Sequence, residues 1–166
     1  MKERVENCLR LLAKGAGSLQ SPFLLLVRLY WGWQFAQTGW GKFNNIEKVT
    51  GFFTSLGIPL PGLTAHFIAG LELGGGILLA LGLLSRPIAL LLATNMLVAY
   101  VTADREALFS VISDPDKFSA AAPFTFLIAS LIVLIFGPGK LSVDAWIASR
   151  NQSKKKFADA SSEVIV

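Results

Sequence analysis

The stretch LTAHFIAGLELGGGILLALGLL, residues 63–84, decides the fold of this chain. It is apolar along its length except for Thr64, His66 and a single carboxylate, Glu72, near its centre. A helix of about 20 apolar residues is long enough to cross the hydrocarbon core of a bilayer. A charged side chain at that depth is costly unless it is paired or neutral. The stretch therefore predicts a membrane-spanning helix whose Glu72 faces the interior of a helix bundle.

The rest of the chain has the composition of a membrane protein. Of its 166 residues, 53% are hydrophobic and 16% are charged, and its mean hydropathy is +0.57. These values lie outside the usual range of soluble domains. The single cysteine, Cys8, excludes an internal disulfide and a CxxC redox pair, and the single histidine excludes a bis-histidine haem site. We therefore expect no built-in cofactor and no metal site.

Four apolar stretches predict four spans, at residues 22–43, 63–84, 87–103 and 120–136. Only Ser85 and Arg86 separate the second from the third, which indicates a tight helical hairpin. The predicted fold class is all-α, an integral membrane antiparallel four-helix bundle with short amphipathic interfacial helices. The predicted organisation is an interfacial amphipathic helix at 1–21, the transmembrane domain at 22–148 and a polar cytoplasmic tail at 149–166.

The basic residues predict the orientation in the membrane. Ten lie on the side that carries both termini and four on the other side, so the positive-inside rule places both termini in the cytoplasm. Because these residues flank the spans and form no groove, we expect the bilayer and not a nucleic acid as their partner. The ten are Lys2, Arg4, Arg10, Lys14, Arg86, Lys140, Arg150 and Lys154–Lys156; the four are Lys42, Lys48, Arg105 and Lys117.

Small and polar residues recur along the first two spans. Arg28, Gly32, Phe35, Gly39 and Lys42 follow steps of 4, 3, 4 and 3, which places them on one helix face. Glycine allows close approach of neighbouring membrane helices. The sequence therefore predicts helix packing through the glycines of both spans, namely Gly32, Gly39, Gly70, Gly74 and Gly75.

Depth along the helices suggests partners for the buried charges. At a rise of ~1.5 Å per residue, Glu72 lies ~18 Å from the cytoplasmic end of its span, close to the depth of Gln34, and Arg28 lies ~9 Å in. Gln34 or Gln37 is then the expected neighbour of Glu72, and Arg28 is expected to approach Asp144.

Two interpretations of these polar groups remain open. In the first, Arg28, Lys42, Asn95 and Asp144 form a structural polar network that specifies packing. In the second, Glu72 is a catalytic group that exchanges protons with an elongated apolar ligand between the first two spans, covered by the loop that holds Phe52 and Phe53. The candidate ligand-binding residues are Gln34, Gln37, His66, Trp31, Phe35 and Trp40.

Four motifs in a fixed order resemble the DoxX family. They are Arg28-x3-Gly32-x2-Phe35-x3-Gly39-x2-Lys42, Leu56-Gly57-Ile58-Pro59, Glu72-x-Gly74-Gly75 and Gly137-Pro138-Gly139-x-Leu141-Ser142-x-Asp144. The resemblance implies an antiparallel four-helix transmembrane bundle in the inner membrane of a bacterium or archaeon. It also implies a membrane redox subunit of the thiosulfate- or thiol:quinone oxidoreductase type, with a diffusible quinone as its ligand.

Three functions stay open at this point. The first is the quinone-interacting oxidoreductase subunit. The second is a non-catalytic scaffold or assembly factor whose cytoplasmic face docks a soluble redox partner or second subunit. The third is a small-molecule or proton transporter, against which the absence of an inverted repeat argues. A homo-oligomer is compatible with each of them.

Overall fold

The chain forms helices along nearly its whole described length. The computed structural model describes residues 2–152 and contains no strand within them. The prediction of an all-α fold is confirmed. The helices are α1 (Lys2–Asn44), α2 (Ile46–Ser55), α3 (Pro61–Leu81), α4 (Ser85–Thr102), α5 (Arg105–Phe109), α6 (Pro115–Ala120), α7 (Ala122–Phe136) and α8 (143–152).

The first span and the segment before it form one helix. The structure continues α1 from Lys2 through Pro22 to Asn44 without a break, whereas the sequence predicted a separate interfacial helix at 1–21. Most side chains of the first 14 residues of this predicted helix lie outside the described part of the chain, as do residues 153–166 of the predicted tail. The amphipathic face and the polar tail therefore stay predictions.

Four helices pack in a ring. Helix α1 packs on α3, α3 on α4, α4 on α7, and α7 on α1. Contacts show that α1 and α3 run antiparallel, because Gly32 lies beside Gly76 and Ala80 while Gly39 lies beside Ala69 and Leu73. The buried side chains that fill the centre of the ring are Phe35, Leu79, Ala89, Leu92, Met96 and Val133.

Helices α1 and α3 approach each other through glycine. A Cβ atom added to Gly39 would lie 2.3 Å from the backbone nitrogen of Leu73, and one added to Gly76 would lie 2.5 Å from that of Ala36. Both distances are far below a van der Waals contact, so only glycine fits. At Gly74, by contrast, an added Cβ would meet no atom within 4 Å. The close packing of α1 on α3 therefore uses Gly32, Gly39 and Gly76, while the predicted Gly75 lies against Leu92 of α4.

The exterior of the bundle is apolar. Among the described residues, α3 and α4 are long and apolar enough to cross a membrane, and α7 is a shorter apolar helix. Only 33% and 39% of the apolar windows of α3 and α4 are buried, whereas the core helix of a soluble protein would be mostly buried. Large apolar side chains such as Phe67, Leu91 and Val101 face outward. Such a surface suits lipid better than water.

The short helices gather at one end of the ring. Helix α2 packs on α3 after the turn at Asn45, and α5 and α6 connect α4 to α7. The opposite end carries the tight turn between α3 and α4 and the segment that leads into α8. We call the end with α2, α5 and α6 the α2 end, and the other the hairpin end.

Candidate functional site

A buried carboxylate lies towards the α2 end of the bundle. Glu72, on α3, is 2% exposed. Its Oε2 accepts a hydrogen bond from Nζ of Lys42 in the last turn of α1, and its Oε1 accepts one from Nδ2 of Asn95 on α4 at 3.0 Å. We call Lys42, Glu72 and Asn95 the outer cluster. It ties three helices together through one side chain.

The outer cluster satisfies the main physical requirement of a buried charge. A carboxylate in an apolar interior is tolerated when it is paired and hydrogen-bonded. Lys42 supplies the opposite charge, and Asn95 supplies a neutral donor. Each carboxylate oxygen therefore has one protein donor.

An apolar cavity of about 400 Å³ adjoins the outer cluster. Phe35 of α1, Met96 of α4 and Phe126 of α7 line it, together with Phe52 and Phe53 of α2 and Leu56 directly after α2. We call these last three side chains the cover of the cavity. Phe35 and Phe126 meet edge to face, with ring centroids 4.6 Å apart. The cavity thus combines aromatic walls with the charged outer cluster, and the acidic Asp104 also lines it.

The polar groups of the cavity differ in what they offer a ligand. The hydroxyls of Thr38, Thr64 and Thr102 each donate to a backbone carbonyl nearby, which leaves only their acceptor lone pairs. The Lys42 ammonium has three N–H donors, one of which serves Glu72. Its side chain is 29% exposed and lines the cavity. Lys42 is therefore the group best suited to bind an acceptor atom of a ligand.

The structure separates the predicted ligand-binding residues. Of the residues predicted to be catalytic or ligand-binding, Glu72 and Phe35 line the cavity. Trp31 packs against the Phe126 ring with centroids 5.1 Å apart, and Gln34 is half-buried on α1. The other three are exposed: His66 has its Nδ1 2.8 Å from the Gly62 carbonyl oxygen, while Gln37 and Trp40 line a groove on the outer surface of α1 and α3.

The expected neighbour of Glu72 was wrong. Depth along the helices favoured Gln34 or Gln37, but Lys42 and Asn95 hold the carboxylate. Lys42 shares its helix face with Gly39, which contacts Leu73, so the lysine points at α3 and its long side chain spans the remaining offset. The spacing of Gly39 and Lys42 in the sequence already indicated that they share a helix face, whereas the estimate of depth from the rise per residue did not indicate this contact.

A second polar cluster lies at the hairpin end, and we call it the inner cluster. Arg28 is fully buried and donates from Nη2 to the backbone carbonyl of Leu141. Its guanidinium rests on Gly82, where an added Cβ would lie 1.6 Å from Nη1. Asp144 accepts hydrogen bonds from the backbone N–H groups of Leu84 and Ser85, both at 2.9 Å. These bonds hold the turn from α3 to α4.

The charge state of Asp144 follows from its contacts. Burial raises the pKa of its carboxyl, but the hydrogen bonds from Ser85 and Leu84 and the nearby Arg28 charge outweigh burial. The pKa of Asp144 is therefore below its ordinary value, and the group stays ionised. The structure thus brings Arg28 and Asp144 together, at the end of the bundle away from Glu72.

These features define a class of protein before any comparison. An all-helical bundle with an apolar exterior, charges paired inside and an apolar cavity is a small membrane protein. Within residues 2–152, no group of three or more histidine, cysteine, aspartate or glutamate side chains could hold a metal ion.

Comparison with known proteins identifies the family. The DoxX family model matches residues 23–105. "Putative oxidoreductase CatD" of Bacillus subtilis (strain 168) is 31% identical over 123 residues, which cover 74% of this chain and 85% of that protein. An "Uncharacterized protein" of Haemophilus influenzae is 29% identical over 138 residues, which cover 81% of this chain and 87% of its own length. No solved structure gives a significant match. The chain belongs to the DoxX family of membrane proteins, as its motifs predicted.

Proposed function

We propose that this chain is an inner-membrane subunit of a redox complex and that it binds a quinone, or a similar apolar ligand with a carbonyl head group, beside the outer cluster. One observation carries the proposal. An apolar cavity of about 400 Å³ adjoins a buried, paired charge. Its volume lies in the range of roughly 300–1,000 Å³ that small-molecule sites occupy, and such sites join apolar walls to a few polar groups.

The lining of the cavity suits a planar ring that carries acceptor atoms. The Phe35, Phe126 and Phe53 rings offer faces and edges to a planar head group. The Lys42 ammonium donates a hydrogen bond to a head-group carbonyl, and Asn95 and Glu72 fix the position of that ammonium. The apolar tail of the ligand lies along the remaining walls.

The outer cluster can also move a proton. A quinone takes up two electrons and two protons when it becomes a hydroquinone. Lys42 would give one proton to a head-group oxygen, and Glu72 would stabilise the ammonium before that transfer. Solvent water that reaches the part-exposed Lys42 would re-protonate the lysine and so supply the second proton. The electrons come from a second subunit. Because the cavity lies at the α2 end, we place that donor there and not on the cytoplasmic face, where the sequence suggested a soluble partner.

To test this site, decylubiquinone binding to the detergent-purified protein is measured by native mass spectrometry. Lys42→Met should abolish binding, because it removes the donor. Lys48→Met is the matched control, since Lys48 is an exposed lysine on α2 outside the cavity lining, and it should bind as the wild type does. Equal binding by both variants, or none by the wild type, would reject the quinone site.

The same proposal includes four spans with both termini in the cytoplasm. The ring of α1, α3, α4 and α7 and the ten-to-four distribution of basic residues support it. In a Cys8→Ser background, membrane-impermeant labelling of intact cells should modify Glu47→Cys and spare Asp159→Cys. Labelling of both positions, or of the second alone, would contradict this orientation.

One observation favours the second candidate function, a non-catalytic scaffold or assembly factor. Both oxygens of Glu72 are already bonded within the protein, which is what a purely structural polar network requires. A soluble partner that co-purifies in fixed stoichiometry, with no small ligand in the same spectra, would support the scaffold. Solute or proton flux in proteoliposomes would instead indicate the transporter.

A further inference from the structure

The outer face of α1 carries a long row of exposed side chains. The row follows steps of 4, 3, 4, 3, 4 and 3, a mean spacing of 3.5 residues. This is the spacing at which two parallel helices pack along a left-handed seam. Its six apolar members are each more than half exposed. We call this row the α1 stripe: Leu19, Phe23, Leu26, Tyr30, Trp33, Gln37 and Trp40.

Gln37 is out of place on a surface that faces lipid. It is exposed and lies beside Leu73 and Gly76, near the middle of α3 along the membrane normal. It makes no hydrogen bond to any residue in the described part of the chain. Exposed hydroxyls at comparable places behave differently: that of Thr94 donates to the Leu90 carbonyl of its own helix at 2.9 Å. An unpartnered amide in hydrocarbon is unfavourable, so Gln37 requires an external partner.

A groove of about 560 Å³ runs beside the stripe between α1 and α3. Small residues form part of its floor, and Trp33 and Trp40 stand at its α1 side. The small residues are Gly32, Ala36, Gly76 and Ala80. A large side chain from a neighbouring helix would find space there. The groove therefore gives the stripe a shape that a second helix can fit.

We propose that the α1 stripe is the interface of a parallel homodimer, in which the Gln37 amides of two copies hydrogen-bond across a twofold axis. An amide is both donor and acceptor, so it complements a copy of itself. Two identical copies inserted in the same orientation necessarily have their Gln37 side chains at the same depth in the membrane. A lipid tail offers no hydrogen bond, and an unrelated helix would need a polar residue at that same depth. One polar residue in an otherwise apolar seam also fixes the register of two helices.

Cysteine cross-linking in native membranes tests the interface in the full chain. In a Cys8→Ser background, copper-phenanthroline oxidation should link two copies through Trp33→Cys and Trp40→Cys, which lie on either side of Gln37 and leave its amide in place. Leu90→Cys and Leu97→Cys are the matched controls, because both are exposed apolar positions on α4. We expect the stripe positions to give about fivefold more dimer than the controls, as close helix packing would produce. Equal cross-linking at stripe and control positions would overturn the proposal.

Native mass spectrometry gives the independent readout. The wild type should appear as a dimer, and Gln37→Leu should lower the dimer fraction severalfold without loss of folding, because Gln37 contributes no internal hydrogen bond. Gln37→Asn should keep part of the dimer, since the shorter amide still pairs. Thr94→Val, which removes an exposed hydroxyl from α4, should change nothing. A wild-type monomer, a bound lipid in place of the second copy, or a different protein cross-linked at Trp33→Cys would each reject the homodimer.

Discussion

The two buried charge clusters of this bundle contain similar chemical groups and differ in what surrounds them. In the inner cluster, Arg28 and Asp144 bind backbone groups. Arg28 is fully buried with Gly82 directly against its guanidinium, and Asp144 is half-buried. In the outer cluster, Lys42 and Glu72 bind each other beside a cavity of about 400 Å³. Two charges that each bind backbone groups thus contrast with an ion pair that adjoins open space.

This difference indicates that the inner cluster has a structural role and that the outer cluster can bind a ligand. A charge that binds backbone carbonyls and amides fixes a turn, and any movement would leave buried polar groups unpaired. A charge that binds another side chain beside a cavity can exchange that partner for a ligand at little structural cost. We therefore expect substitutions in the inner cluster to act on stability alone, and those in the outer cluster and around the cavity to act on ligand binding as well.

The largest effect should come from Gly82→Ala in the inner cluster. Its φ of 70° disfavours any side chain, and a Cβ would collide with the buried Arg28 guanidinium and with Ser142. We expect the free energy of unfolding to fall by about 4 kcal/mol, from backbone strain and overpacking together. Thermal unfolding in detergent measures this. Gly74→Ala, which meets no atom within 4 Å, is the control; a similar loss there would show that the effect is not specific to the inner cluster.

The next effect should come from Lys42→Met in the outer cluster. It leaves the Glu72 carboxylate buried without its cation, and we expect a loss of about 3 kcal/mol. Adding Glu72→Gln should recover most of that loss, because a neutral amide still bonds to Asn95. Glu72→Gln alone should fold, whereas Glu72→Leu should weaken packing by leaving Lys42 and Asn95 unpaired. If the double variant is no more stable than Lys42→Met, the two charges are not coupled.

The contribution of the inner cluster to the free energy of unfolding should also depend on pH, through Asp144. The pKa of Asp144 is lower in the folded protein than its ordinary value. Ionised Asp144 therefore contributes fully to the free energy of unfolding at a pH above its ordinary pKa. That contribution is lost as the pH falls through its pKa in the folded protein. Asp144→Asn should remove about 2 kcal/mol at neutral pH, since it loses charged hydrogen bonds to the Leu84 and Ser85 amides. The gap between wild type and variant should then narrow in acid. A gap that stays constant from pH 7 to about pH 3 would exclude ionised Asp144 as its source.

The smallest change in stability should come from Phe52→Ala, on the cover of the cavity. Phe52 is half exposed, so we expect the free energy of unfolding to change by less than about 1 kcal/mol. Decylubiquinone binding should nevertheless weaken about fivefold, because the ring covers the ligand. Isothermal titration measures the binding. A large loss of stability with unchanged binding would mean that α2 supports the fold and does not cover a ligand.

The sequence predicted which segments form helices more accurately than where the helices end. It also predicted which polar residues lie inside the bundle more accurately than which of them bind each other. Span-length apolar stretches anticipated α3, α4 and α7, and the motif order anticipated the family. The two steps that failed both needed information from a second helix. Gly76, and not Gly74, meets α1 because the crossing point of two helices selects which glycine is used. Lys42 reaches Glu72 because α1 presents that face to α3, which no measure of depth along a single helix could reveal.

The sequence by itself determined that this chain forms apolar helices, that its charges must be paired inside them, and that it belongs among DoxX proteins, because hydrophobicity and motif spacing are properties of single segments. Only the tertiary structure decided which groups hold Glu72, where the cavity lies and which face of α1 remains open. Those outcomes depend on the relative rotation and offset of helices far apart in sequence, such as α1 and α3, whose contact is set by backbone approach at Gly39 and Gly76.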